Sequence, residues 1–586
     1  VIKKLITDNN YEQALISYDK ELQDNPKDYE AWNDRGIILG YLGRYEEAIN
    51  AFDKALQINP KFYQVWHNRG LALGILGRYE DEISSYDKVV SLEPTFYPSL
   101  YNRGIALDIL GRHEEAIACY DKVLQFTPDA SLVWKRRASS LESLNRYEEA
   151  IDSYDKALQL DPDDHFLWND RGIALSELER YEEAIKSFDK ATESDLKPYE
   201  AWYNRSLALQ SLGRYEEVIL SCDKAIEINP NFSKPWGNRG LSLADLGKYE
   251  EAIISFDKGL EINPDDYEMW HNRATILCNY LNKYEEGIVS YDRALQIKQD
   301  FYDAWFSRSI PLFRLGRYAE GLESCDRALQ IKPNSFKALY GKGIALKNLD
   351  RLEEALSSYD KALQLNPQFY EVWHGRAIVL DALGRYEEAL KSLIQFLQIK
   401  PNEEIFWDET ETLLLSVKEN LKSSGKGESI PIVIQAYKNG IRILETIGDQ
   451  QRFLKFSYQL GKSLLEIGNY TEAIENLQVC EQVSQKLNDI STLALTLFDL
   501  ARLYHLTGRL EQARLYFKDS LRLFRRLQDN EKIAAATLAL GNLEIQIGKI
   551  SQALIHLKEA ENYYQAQNNS ERLAEINYLL QILQAA

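Results

Sequence analysis

Methionine occurs once in 586 residues, at Met269, and cysteine five times, at 119, 222, 278, 325 and 480. The cysteines lie singly, which argues against a disulfide framework or a zinc site and suits a reducing cytosol. No apolar run approaches the roughly 18–20 residues a membrane helix needs. No charged stretch followed by an apolar one marks a signal peptide. The seven histidines show no metal-ligand spacing. HExxH, GxSxG, P-loop and dinucleotide fingerprints are all missing, and Gly425-Lys426-Gly427 lacks the frame of a phosphate loop. The expectation is a cytoplasmic chain with no metal, no cofactor and no catalysis of its own. Basic charge is also short: the net charge is −21, and residues 1–440 hold −20 of it. Such a surface repels phosphate backbones, so nucleic acid is excluded as a partner and a neutral or basic protein segment is favoured.

What the sequence does have is period. Its ten tryptophans stand at 32, 66, 134, 168, 202, 236, 270, 305, 373 and 407, with Leu100 and Leu339 in the two missing places. Every gap is 34, 35 or 68 residues. A period of 34 marks a helix–turn–helix unit that cannot bury its apolar face alone. In the unit containing Trp66, Gly70 and Leu73 share the tryptophan's stripe on a first helix, A. Gly77 is placed to end it in a left-handed conformation. Glu80 and Asp81 fall in the first turn of a second helix, B, where the helix dipole favours anions. Ile83, Tyr86 and Val89 form its apolar face, and Pro94 stops it.

These positions resemble the tetratricopeptide repeat family, with Trp, Gly, Tyr, Ala, Tyr/Phe, Ala and Pro recurring some eleven times. The 34-residue units are similar to those of O-linked N-acetylglucosamine transferase-type and bacterial, cyanobacterial-like members. One departure is Arg three residues after the Trp, where the family usually has Leu. The resemblance implies an all-α, right-handed superhelical solenoid whose A helices line a concave groove. After Trp407 the period becomes 40, as in Gly468, Gly508 and Gly548, and in Asp449, Asp489 and Asp529. This resembles the 40-residue variant of bacterial signalling proteins and cell-polarity adaptors. Two subdomains are therefore expected, 1–402 and 403–586, joined by an exposed loop at 423–429. Val1 falls where the Arg of a helix A belongs, so the first unit reads as truncated, either a piece of a longer chain or a start at a non-standard codon.

The recurring Asn-Arg of phrases such as Trp66-His-Asn-Arg-Gly70 sends two neighbours to different places. With Trp at 0° and 100° per residue, Arg at +3 borders the face packed on helix B, while the residue at +2 points away. Sixteen residues before each Arg stands an Asp, from Asp19–Arg35 to Asp360–Arg376. At the next junction Ile394 and Thr410 replace both together. The partner is therefore expected across the unit boundary, helix B of one unit to helix A of the next. A planar, half-buried pair suits Arg better than Lys.

The +2 positions read Asp34, Asn68, Asn102, Arg136, Asp170, Asn204, Asn238, Asn272, Ser307, Gly341 and Gly375. They are either a merely solvated row or a ligand ladder. Asn and Asp are poor helix formers, so retaining them calls for a use. A carboxamide both donates to and accepts from a peptide unit. The row is similar to the asparagine ladder of the O-linked N-acetylglucosamine transferases, which implies peptide-binding roles for Asn68, Asn102, Asn204, Asn238 and Asn272. Asp34 and Asp170 could serve only as acceptors. The +1 residues His67, Tyr101, Tyr203, His271, Phe306, Tyr340 and His374 could flank such a groove or fill the space between helices.

Three functions compete on this evidence. The leading one is a protein-interaction scaffold holding an extended peptide. The second is the sensor or regulatory array of a larger signalling or transferase enzyme whose catalytic domain lies outside this chain. The third is a structural spacer or self-assembling rod. Oligomeric state is left open.

Overall fold

In most 34-residue phrases, a glycine four places after the tryptophan position leaves room for an aromatic ring sixteen residues further on. A Cβ added to Gly70 would stand 2.5 Å from the Tyr86 ring, and one on Gly172 would stand 2.5 Å from Phe188. The A and B helices of a unit therefore close on a ring seated against bare backbone. The turn between them reverses through a left-handed residue, Gly77 at φ +73°, satisfying the last carbonyls of helix A. Arg78 N–H bonds the Leu73 carbonyl at 3.0 Å there. Where glycine is absent, Asn145, Glu179, Asn282 and Asp350 take the same positive φ.

The computed structural model describes residues 10–193, 196, 198–399, 405–423 and 430–585. Among them are 32 α-helices and no strand. Unit after unit, a 13-residue helix A such as Tyr63–Ile75 precedes a 14-residue helix B such as Tyr79–Leu92. In most units the tryptophan is half-buried and its indole N–H reaches back six residues to a carbonyl in the preceding turn. Trp66 meets Pro60 O at 3.0 Å, and Trp168 meets Pro162 O at 2.8 Å. The proline that stops one helix B thus supplies the anchor for the next helix A.

The chain divides into two compact units, Val1–Ile297 and Lys298–Ala586. Each is an all-α stack of helical pairs. The change of repeat length near residue 403 falls inside the second unit. Beyond it the helices lengthen to 17 and 18 residues, as in Ile490–Leu506 and Leu510–Leu527. The 40-residue rhythm of Asp449, Asp489 and Asp529 is a capping rhythm: each carboxylate accepts from the backbone N–H three residues on at 3.0 Å, satisfying an otherwise orphaned donor of the first turn. At the place held by Arg in the shorter units, Leu460, Leu500 and Leu540 are buried. Of the loop expected at 423–429, residues 424–429 lie outside the described residues, as do residues 1–9.

Candidate functional site

The arginines bond across the unit boundary, where the joint replacement of Asp and Arg by Ile394 and Thr410 placed them. Arg35, Arg69, Arg137, Arg171, Arg205 and Arg273 each direct Nε to an aspartate of the preceding helix B at 2.6–2.8 Å. Each aspartate is about half exposed, so the pair is half wet. Not visible to the spacing argument was a third partner. From the same guanidinium, Nη1 donates to a buried serine of the following helix B: Arg69 to Ser85 at 2.7 Å, Arg205 to Ser221 at 2.7 Å, Arg376 to Ser392 at 2.6 Å. Arg103 meets Cys119 Sγ instead, at 2.9 Å. The planar fork thus ties three helices, B of one unit and A and B of the next. Lys342 reaches only Asp326, at 2.7 Å. Several of these guanidinium groups also lie over their own unit's tryptophan, 5.7–6.0 Å from the ring centroid. The arginines are structural staples.

The +2 residues sit on the open face of the A helices, and several already have protein partners. Asn68 Nδ2 donates to Asn33 Oδ1 and Asn204 Nδ2 to Asn169 Oδ1, each at 3.0 Å and each linking adjacent A helices. In both, the side-chain carbonyl meets no side-chain donor among the described residues. Asp34 accepts from Tyr18 Oη at 2.9 Å, and Asp170 lies 3.6 Å from Lys135 Nζ. Burial is the main force raising the Asp170 pKa. Asn102 lies half-buried beside Tyr86. Asn272 is half-buried, and its side chain makes no hydrogen bond among the described residues. Asn238 corrects the expectation of a solvent-facing rung. It is 6% exposed, because Ser206 and Cys222 stand in the preceding unit where Gly and an aromatic ring usually stand. The amide turns into that smaller contact and donates to Ser206 Oγ at 2.8 Å.

The +1 residues pack on neighbouring side chains, some at the start of the next helix A and others on their own unit's helices. His67 bonds Ser99 Oγ at 2.8 Å and packs edge-on against Phe96, and burial lowers its pKa, favouring the neutral ring. Tyr101 packs on Tyr120, Tyr203 on Phe232, His271 on Tyr291, Phe306 on Tyr302 and Tyr340 on Phe369. His374 is buried against Phe396 rather than flanking a groove. What reasoning from the +1 and +2 series left out is apolar. On the same face, five and nine residues after the Trp position, Tyr41, Leu71, Ile75, Ile109, Ile173 and Leu207 are exposed. Their angular position, 140–180° on the same wheel, was legible in principle. A hollow of about 330 Å³ opens there beside Ile37, Tyr41, Asn68, Leu71 and Ile75. The open face can therefore offer amide acceptors and apolar seats together. Among the described residues no group of His, Cys, Asp and Glu could hold a metal ion, and no helix is long and apolar enough to cross a membrane.

Family models described as tetratricopeptide repeat match residues 29–62, 97–129, 131–164, 199–232, 233–266 and 336–369, residues 51–83, 153–186 and 358–391, residues 280–336 and residues 455–526. Together they span more than half of the chain, which belongs to the tetratricopeptide repeat family. Solved structures with the same repeats include YrrB, described as a tetratricopeptide repeat protein with an unusual peptide-binding site. It is 24% identical over 33% of this chain and 98% of its own, with a TM-score of 0.29. A repeat protein from Parabacteroides merdae is 19% identical over 43% of this chain and 98% of its own, with a TM-score of 0.33. The Naa15/Naa10 complex bound to HypK is 16% identical over 100% of this chain and 96% of the matched one, with a TM-score of 0.34. No curated protein matches the chain.

Proposed function

We propose that this protein is a non-catalytic, cytoplasmic interaction scaffold that holds an extended peptide segment of a partner along the open face of its A helices. The observation that carries the reading is the pair of amide links, Asn68 to Asn33 and Asn204 to Asn169. Each spends a side-chain donor on the neighbouring A helix, which holds the amide in place and leaves its own carbonyl as the acceptor for a peptide N–H. An acceptor held in place costs little ordering when a peptide N–H arrives. Backbone contacts of this kind tolerate many side chains, and the exposed aliphatic residues beside them select among those side chains. The acidic excess of residues 1–440 favours neutral or basic segments over most of that length.

Selection from a random peptide library against the purified chain, followed by anisotropy titrations, tests this. Substituting Asn102→Ala, Asn204→Ala and Asn272→Ala together should weaken several unrelated selected peptides by tenfold or more, at about 0.5–1.5 kcal/mol per lost contact. Unchanged affinities would place the ligand elsewhere.

A further inference from the structure

In most 34-residue units the contact between helices A and B is a glycine under an aromatic ring, as in Gly36 under Phe52 and Gly343 under Tyr359. At one position in the second compact unit that arrangement fails. Ser309 and Cys325, both buried, replace the glycine and the ring. The first unit has the same exchange at Ser206 and Cys222, but there Asn238 leans over from the next helix A and fills the gap. The residue corresponding to Asn238 is Gly341. It lies so close to Cys325 that an added Cβ would stand 2.9 Å from the sulfur. With neither ring nor amide present, a hollow of about 520 Å³ opens between the helices Tyr302–Arg314 and Phe336–Asn348.

Its walls are apolar. Phe306, Phe313, Tyr340 and Ile344 line it, and the exposed Ile310 stands at its mouth. Phe313 occupies a position held elsewhere by Gly40, Gly74, Asp108, Ser176 or Gln210. It stacks on Tyr318 with centroids 6.1 Å apart, so the wall is braced. A concave apolar site with a few polar groups at its edge is what recognition of a bulky apolar group requires. At this edge stand Arg314, in the last turn of one helix, and Lys337, in the first turn of the next. Both are exposed, and no carboxylate among the described residues pairs with either. The turn arginine of the same unit, Arg317, is by contrast clamped by Glu320 at 2.6 Å. Against the acidic excess of the rest of residues 1–440, this rim is locally cationic.

We propose that this hollow is an anchor site for an acidic peptide segment of a partner protein. One large aliphatic or aromatic side chain enters between Phe313 and Tyr340, and flanking carboxylates meet Arg314 and Lys337. The proposal rests on the scaffold reading above and names the chemistry of one stretch of it.

The probe is a short fluorescein-labelled peptide with one phenylalanine flanked by aspartates, titrated by anisotropy against the full chain. It should bind, more weakly as salt rises, and lose at least tenfold with the double variant Arg314→Glu, Lys337→Glu. A lysine-flanked version should prefer that charge-reversed protein, and a version with serine for phenylalanine should not bind either protein. Gly341→Asn, which restores the filling amide, should also weaken the probe. Because that asparagine crowds Cys325, the exposed double variant is decisive, with its circular dichroism and melting matching the parent. Equal affinity for parent and double variant would overturn the site, as would a preference of the parent for the lysine-flanked peptide. So would an apolar dye that fills the hollow and is not displaced by the peptide. If library-selected peptides still depend on Asn102, Asn204 and Asn272 while the aspartate probe fails, the anchor site falls and the scaffold reading stands. If those selected peptides also ignore the three asparagines, the scaffold reading falls with it.

Discussion

Arg205→Ala isolates the inter-unit staple. In the folded chain Arg205 Nε lies 2.6 Å from Asp189, Nη1 lies 2.7 Å from the hydroxyl of Ser221, and the guanidinium sits 5.8 Å from the centroid of Trp202. The aspartate is half exposed, so the ion pair contributes at most about 1 kcal/mol. The charged hydrogen bond to a buried hydroxyl adds about 1–2 kcal/mol. Ser221 keeps its own bond to the Glu217 carbonyl, so no donor is stranded. The contact with the indole is worth about 0.5–1 kcal/mol. These terms are coupled through one side chain, so their joint loss should be about 2–3 kcal/mol rather than their full sum. A repeat array opens locally and has no single unfolding free energy. The suitable assay is hydrogen exchange followed by mass spectrometry on peptides from residues 181–228. Exchange there should quicken roughly 30- to 150-fold, at tenfold per 1.4 kcal/mol, with little change in residues 29–92. Arg205→Lys should fall in between, because the Lys342 ammonium holds Asp326 at 2.7 Å and makes no bond to Ser358, whose hydroxyl keeps only its own bond to the Glu354 carbonyl. A change below about threefold for Arg205→Ala would refute the staple and leave its regularity unexplained.

Three further outcomes follow from burial. Asn238→Ala should quicken local exchange about five- to tenfold through loss of a buried hydrogen bond of about 1 kcal/mol, while Asn272→Ala should stay within about 0.5 kcal/mol of the parent; equal effects would contradict the burial difference. Glu142, desolvated and receiving the Tyr154 hydroxyl at 2.9 Å, has its pKa pushed up to about 7 from 4.5. The folded chain therefore holds that proton more tightly than the unfolded one, and the carboxylate destabilises progressively as pH rises from about 4.5 to 7. Glu142→Gln should raise the melting midpoint at pH 8 by an amount that vanishes by pH 4, and a pH-independent difference would assign the effect to something else. Gly172→Ser should destabilise its helical pair against Phe188, by about 1–3 kcal/mol for overpacking. In the background of Phe188→Cys it should cost nothing further, as Ser206 with Cys222 already illustrates; additive losses in that double-mutant cycle would show that the ring is not the obstacle.

The fold was readable because a small residue, most often glycine under a ring, recurs at fixed spacing through the sequence. The Arg–Asp partnership was readable for a subtler reason. Ile394 and Thr410 abolish both members at the same junction, and only an inter-unit bond makes that a single event. The serine partner carried an equal signal in the recurring Ser-aromatic-Asp of Ser85-Tyr86-Asp87, Ser153-Tyr154-Asp155 and Ser187-Phe188-Asp189. It was missed because a helix wheel assigns each residue one direction, whereas a long guanidinium at the edge of a face spans two neighbours. The fate of Asn238 could not be read from its own phrase at all. Its wheel angle is that of Asn272, and what buries it is the smaller contact left by Ser206 and Cys222 in the unit before. The same dependence makes Gly341 informative: identical upstream changes at Ser309 and Cys325 meet no amide, and the volume stays open. In a repeat protein, then, the periodic residues report the scaffold, and departures from the period matter in combination across a unit boundary. The filled gap carries Asn238 where the open one carries Gly341, and Phe313 and Tyr340 wall the open one where Gln210 and Gly237 stand in the other.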